Sequence, residues 1–418
     1  MRENTLMRKP DDWQDFRRIG PKTISFDAMK NRLAGGCRVP LAFAVLLALA
    51  IPAMGKNQVI ATTSSARSVA STTRPAQAKP PRKFRSRARR PAPSRRKVVS
   101  YGDSTEGDDA SRDDAIVRAA AVETLDKLMG SMVVVDPSTG RILTIVNQKL
   151  ALESYQPCST FKPAVALAAL EEGLIENDKT RLRLGRRWYL DLVQSLAFSN
   201  NLYFAKLGQL LGLAKLREYG QRFGFGELAG WGLPQEPRGT LPDTPPPPYR
   251  GGVGKIASFG EGISQTSLQL ASFMSAVANG GTLFYLQYPQ DQDHFEPMVK
   301  RRLEIAPWLA PVRQGLEEAV LSGTARRARQ PDITILGKTG TCSENGARLG
   351  WFAGYSQQEG GLAVVVLLRR APRVDGPHAA EVAGRFFRKL ADQNYLARSP
   401  HTDLSSAPPA VIQFSPLR

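Results

Sequence analysis

The stretch STFKPAVALAALEEG, residues 159–173, is the strongest constraint on how this chain folds. Its alanines, leucines and valine lie on most faces of a helix instead of on one stripe, and such a helix is stable only when other elements bury it all round. Pro163 sets where the helix starts, because a residue without an N–H is tolerated in the first turn and disrupts any later one. The helix therefore begins close to Ser159, with Lys162 one turn inside. Taken alone, Ser159 is a favoured helix cap.

A formal charge of +19 suggests a nucleic-acid or anionic-surface partner only if the charge sits on a folded face. It does not. Residues 1–100 hold 22 Lys and Arg against 5 Asp and Glu, which leaves the rest of the chain close to neutral. The basicity belongs to the N-terminal region and says little about the folded part; nucleic acid, which would require the opposite compartment, is not an expected partner. Within that region PLAFAVLLALAIPAM, residues 40–54, is uncharged and follows a basic segment, 1–38, with nine Lys and Arg. This is the polarity of an export signal whose basic side stays in the cytoplasm. Residues 39–55 are read as a membrane anchor; Ala48 and Ala50 offer a small-residue cleavage site as the alternative. Residues 56–97 carry 13 Lys and Arg and no acid, so self-repulsion predicts a disordered basic linker over 56–111. The linker is read as a solvated spacer, with anionic lipid headgroups or wall polymers as the ligands its charge would favour. The apolar run and its flanks predict a single-pass protein of the cytoplasmic membrane, with the folded domain outside.

That domain is expected over 112–397, followed by a disordered tail at 398–418. The acidic stretch 102–114 ends the linker and caps a first helix, AIVRAAAVETLDKLM. SMVVVDPSTGRILTIVN, 131–147, reads as a hairpin around DPSTG. AFSNNLYFAKLGQLLG and SQTSLQLASFMSAVANGG read as helices, the second closed by glycine. ITILGKTGT, RLGWFAGYS and GLAVVVLLRR read as strands, the last two antiparallel neighbours, before a closing helix, HAAEVAGRFFRKLADQ. The expected fold is mixed α/β (α+β): one antiparallel sheet built from the N-terminal hairpin and the C-terminal strands, with the middle helices packed on one side.

Residues three apart share a helix face, so Lys162 is expected to hydrogen-bond the Ser159 hydroxyl. Burial disfavours an ammonium, and a neutral amine can take the serine proton. The helix N-terminus adds N–H groups that favour a developing oxyanion. His294, His378 and His401 lie outside these segments, which weakens a Ser-His-Asp reading. Three cysteines without a CxxC pair predict neither a metal site nor a disulfide scaffold, and no cofactor is implied.

In these residues the chain resembles the serine D,D-transpeptidase domain of the penicillin-binding proteins, whose fold is shared with serine β-lactamases. STFK (159–162) matches the SxxK motif, SNN (199–201) the SxN motif and KTG (338–340) the KTG motif, in the family's order. The segments VVVDPSTGRILTIVN, FGFG, FGEGISQTSLQLASFMSAVANGG and WFAGY are similar to the family's framework, so the resemblance covers about residues 115–395. It implies Ser159 as the acylated nucleophile and Lys162 as its base, with Ser199 and Asn201 relaying protons and holding the substrate amide. Lys338 would supply positive potential, Thr339 would bind the terminal carboxylate of a D-Ala-D-Ala stem peptide beside Gly340, and the N–H groups of Ser159 and Thr341 would form the oxyanion hole. The implied function is peptidoglycan cross-linking through an acyl-serine, inhibited by β-lactams. D,D-carboxypeptidase activity, a class D-type β-lactamase and a non-catalytic β-lactam sensor or scaffold are the alternatives.

The sequence departs from the family at several points. Cys158 stands before the nucleophile where glycine is common, and Cys342 follows the third motif. If the KTG strand flanks the serine, the two cysteines lie near each other; they are expected as free buried thiols, with a Cys158–Cys342 disulfide as the lesser alternative. Glu261 stands where glutamine is frequent. The 40-residue step from Ser159 to Ser199 is short. The linker leaves no room for a folded pedestal or glycosyltransferase module.

Overall fold

The computed structural model describes residues 102–290, 295–358, 360–370 and 374–396. The basic tail, the apolar run at 39–55, most of the basic linker and the C-terminal tail lie outside the described residues. Among the described residues no helix is long and apolar enough to cross a membrane.

Helix α1 (Ala115–Leu125) starts at Asp114, whose carboxylate accepts the N–H groups of Ile116 and Val117, so the acidic stretch does cap the first helix. Part of that stretch belongs to the folded body instead of the linker. Asp108 accepts the N–H groups of Asn147 and Gln148 at 2.9 and 2.7 Å and pairs with Arg118, while the Ser104 hydroxyl donates to the carbonyl of Leu128. Strands β1 (Gly130–Val135) and β2 (Ile142–Val146) form the expected hairpin. Its turn is held by Asp136, which accepts from the N–H and hydroxyl of Ser138 and the hydroxyl of Thr139.

A short helix α2 (Gln148–Ala151) leads to a 3-10 turn at Cys158–Phe161 that runs into α3 (Lys162–Glu171). Every residue of α3 from Lys162 to Leu170 is buried, as its all-round apolar character requires. A two-stranded ribbon follows, β3 (Leu182–Arg183) with β4 (Tyr189–Leu190), then α4 (Leu192–Ala197) and α5 (Asn201–Arg222). Helix α5 runs ten residues past the segment AFSNNLYFAKLGQLLG but is broken at Gly212, whose φ of 76° only glycine adopts freely. Next come α6 (Gly252–Phe259), α7 (Ser267–Asn279), the ribbon β5 (Thr282–Phe284) with β6 (Val299–Arg302), and α8 (Leu309–Leu321). Thr266 and Gln269 close a capping box on α7, and Gly280 ends it in the left-handed conformation. The chain closes with β7 (Ile335–Glu344), β8 (Ala347–Ser356), β9 (Ala363–Arg370) and α9 (Gly376–Asp392).

The main sheet has the order β2-β1-β9-β8-β7 and is antiparallel throughout, which joins the N-terminal hairpin to the C-terminal strands. Both faces are buried, and strict alternation divides them. Val133, Val135, Val365 and Leu367 face a core shared with α3, α5 and α7. Met132, Val134, Val364 and Val366 face a second core made with α1 and α9. The middle helices thus pack on one face, and the helices at the two ends of the domain cover the other.

Replacing Asp114 by Ala removes two bonds to helix N–H groups and one from the Tyr395 hydroxyl. The expected loss is about 0.5–2 kcal/mol. A melting temperature lower by a few degrees in thermal unfolding checks it.

Candidate active site

Ser159 sits half-exposed in the 3-10 turn, and Lys162 is the first residue of α3, with Pro163 next. Lys162 is fully buried. An aliphatic stem suits that position, but the nitrogen at its end has to find polar partners. It finds them in the second motif: Nζ donates to the carbonyl of Ser199 at 2.7 Å and to Oδ1 of Asn201 at 2.7 Å, and lies 3.0 Å from the Ser199 hydroxyl. The hydrogen bond to Ser159 expected from the sequence is not formed. The lysine turns instead to two carbonyl oxygens, the stronger acceptors. Burial first, and the neighbouring Lys338 charge second, push the Lys162 pKa well below that of an ordinary lysine.

The second motif takes up its place through a strained turn. Ser199 has a φ of 54°, in the left-handed region, and Asn200 caps α5 by accepting the N–H of Tyr203 at 2.9 Å. The turn lets Ser199 present both its carbonyl and its hydroxyl to the lysine while α5 departs in another direction.

The third motif lies on β7, the edge strand of the sheet. Lys338 is fully buried, and burial brings its pKa down to about 7. Its Nζ donates to the carbonyl of Thr339 at 2.9 Å. Alternation along β7 puts Thr339 on the other face, where its hydroxyl lies 2.6 Å from that of Thr324. Thr341 accepts the N–H of Gly376 on its hydroxyl at 2.8 Å. Gly340 is where the strand touches the turn that carries Ser159. A Cβ there would stand 3.0 Å from the Pro157 carbonyl and 3.1 Å from Thr160, so any side chain pushes β7 away from Ser159.

Cys158 and Cys342 are joined in a disulfide across 184 residues, with Cα atoms 5.7 Å apart. This corrects the expectation of two free thiols. A sequence separation carries no information on whether two Cβ vectors converge, whereas the packing of β7 against the 3-10 turn decides it. Cys158 has a φ of 54°, which accounts for the preference for glycine at this position, and the covalent bond holds the residue there.

Three further residues take part that no motif marked. Gln156 binds on three sides: its N–H donates to Glu344, its side chain donates to the carbonyl of Phe259, and its own carbonyl accepts the indole N–H of Trp351 at 3.0 Å. Trp351 lies within the WFAGY framework segment, which carried its only sequence signal. Thr324 stands in SGTARR, where nothing distinguishes it from other loop threonines.

Alkylation of the unreduced protein is expected to label Cys37 alone, and all three cysteines after reduction and unfolding. Reduction should lower stability by about 2–5 kcal/mol, read as an earlier denaturant midpoint. Labelling of Cys158 and Cys342 without reductant would count against the bridge.

The family model described as the penicillin binding protein transpeptidase domain matches residues 130–392, which span all three motifs. Stage V sporulation protein D of Bacillus subtilis is 34% identical over 243 residues, covering 50% of this chain and 35% of its own length. The peptidoglycan D,D-transpeptidase MrdA of Acinetobacter baumannii is 24% identical over 288 residues, covering 54% of this chain and 43% of its own. The chain therefore spans less than half the length of these curated relatives. Among solved structures, the apo transpeptidase domain of Burkholderia pseudomallei penicillin-binding protein 3 superposes with a TM-score of 0.58 at 19% identity, over 68% of this chain and 95% of that one. Pseudomonas aeruginosa PBP2 in complex with WCK 5153 gives 0.57 at 22%, over 67% and 74%. At these identities the likeness speaks for the fold. The family match covers more than half of the chain, and the chain belongs to the penicillin-binding protein transpeptidase domain family.

Proposed function

We propose that this protein is a D,D-transpeptidase that cross-links peptidoglycan stem peptides through an acyl-enzyme on Ser159 and is acylated there by β-lactams. The observation that carries the proposal is the buried Lys162 amine, bound by Ser199 and Asn201 one helical turn from a half-exposed serine. Its depressed pKa favours the neutral form, which accepts the Ser159 proton as the hydroxyl attacks the peptide carbonyl. The backbone N–H groups of Ser159 and Thr341 are the candidates for stabilising the resulting oxyanion. On collapse, the bond to the terminal D-alanine breaks, and the leaving amine takes the proton back through Ser199, whose hydroxyl is 3.0 Å from Lys162. The acceptor amine of a second stem then attacks the acyl-serine by the reverse path.

β7 is an edge strand, so an extended stem peptide can lie along it. Lys338 attracts the terminal carboxylate while it carries its proton, and Thr339 receives that carboxylate. The Cys158–Cys342 bridge supports an oxidising, extracytoplasmic location for the domain at 112–397. Residues 39–55 would then anchor it in the cytoplasmic membrane with 1–38 inside. The basic linker would reach through, or bind, anionic lipid or wall polymer.

Fluorescent penicillin is expected to label wild type stably. Ser159→Ala should abolish the label without lowering the melting temperature, and Lys162→Ala should slow labelling by about 10²–10⁴-fold. The pH profile has a definite sign. Lys162 works as the neutral amine, so the acylation rate rises with pH through its depressed pKa. Lys338 works as the cation, so the rate falls again as pH climbs past about 7. Acylation rates measured from pH 5 to 9 check this: a rate that only rises would remove Lys338 from its role.

A further inference from the structure

The turn between α8 and β7 joins the second motif to the third. Gly323 packs on the backbone just before Ser199, where a Cβ would fall on the Ala197 carbonyl oxygen, so this position admits no side chain. The next residue, Thr324, donates its N–H to that same Ala197 carbonyl at 3.0 Å. Its hydroxyl lies 2.6 Å from the hydroxyl of Thr339, the residue read above as the carboxylate receptor. One half-buried residue thus bridges the segment leading into SNN, through its backbone N–H, and the middle of KTG, through its hydroxyl.

A pair of hydroxyls has two protons and uses one between them. Whichever oxygen donates inward, one O–H is left to donate outward, and an O–H whose oxygen already accepts a hydrogen bond is polarised into a better donor. With a partner that has no hydroxyl, Thr339 would rotate freely or turn its proton towards another acceptor.

We propose that Thr324 is a positioning residue for the acyl donor: it orients the Thr339 hydroxyl toward the donor's terminal carboxylate and keeps that hydroxyl in register with Ser199. Thr324 acts through Thr339 and does not take part in the bond changes at Ser159. The inference rests on the reading of Thr339 as a carboxylate receptor and adds a residue to it.

The test uses the full chain and two acyl donors that differ only at the carboxylate, benzylpenicillin and its methyl ester, with acylation followed by intact mass. Wild type should prefer the acid. Thr324→Val, which keeps the shape and removes the hydroxyl, should slow acylation by benzylpenicillin about tenfold, the effect of one hydrogen bond to a charged group, and leave the ester rate unchanged. Thr324→Ser should restore the rate with the acid. Because the ester serves as an internal control, equal slowing with both donors marks a structural role and overturns the proposal, even if the valine variant is less stable. Wild type reacting equally with acid and ester overturns the carboxylate reading itself. A wild-type preference for the acid that Thr324→Val leaves intact overturns only the role of Thr324.

Discussion

Burying the Lys162 nitrogen is the constraint on which the site depends. An amine brought out of water costs several kcal/mol unless it is hydrogen-bonded. Here the chain supplies the carbonyl of Ser199 and the amide oxygen of Asn201, both at 2.7 Å. To meet the lysine, Ser199 takes a left-handed conformation and α5 starts two residues later, at Asn201, under the Asn200 cap. Gly315 and Gly323 allow α8 and its following turn to press on α4, at Leu196 and Ala197, and so hold the second motif from behind. The buried lysine, more than the serine, is what the neighbouring elements are arranged around.

The turn that carries Ser159 has its own confinement. Gly340 brings β7 against Pro157 and Thr160, and Gly260 brings the end of α6 against Pro157, where a Cβ would stand 2.5 Å from the ring. Between these two close approaches the backbone of Cys158 has little choice of conformation, and it settles at a positive φ that costs a non-glycine residue about 1 kcal/mol or more. The disulfide to Cys342 offsets that cost by a covalent tie to the strand that flanks the serine. Gln156 adds hydrogen bonds to Glu344, Phe259 and Trp351. The serine is therefore mounted on a segment fixed from three directions.

Much of this was legible in the sequence because it rests on local rules. Pro163 marks the start of α3, the DPSTG turn marks the hairpin, a glycine closes α7, and the motifs at 159, 199 and 338 fall where helix starts and a strand are predicted. What was not legible depends on which side chains converge. The spacing of Ser159 and Lys162 suggests a direct hydrogen bond, but the lysine is long enough to reach better acceptors contributed from 37 and 39 residues away. Thr324 carries no local signal because its partner is set by the packing of α8 against β7. The disulfide ranked below free thiols for the same reason: strand register, not spacing, brings Cys342 to the turn that carries Ser159.

Two buried lysines in one site raise the question of which one gives up its proton. Like charges brought together in a poorly solvated site disfavour double protonation, so one of the two must be neutral over part of the pH range. For Lys338, burial alone lowers the pKa, to about 7. For Lys162 burial acts first and the charge of Lys338 adds to it, with Phe204 the nearest aromatic face at 5.4 Å. Lys162 also has two carbonyl-type oxygens and one hydroxyl as partners, a set that a neutral amine satisfies by donating twice and exchanging a proton with Ser199. Lys338 has the single carbonyl of Thr339 and lies on the strand along which the proposed anionic peptide terminus would bind, so an incoming carboxylate would stabilise its charged form. On the proposed function, substrate binding would separate the two roles further: the carboxylate would hold the proton on Lys338, and the charge kept there would hold Lys162 neutral as the base.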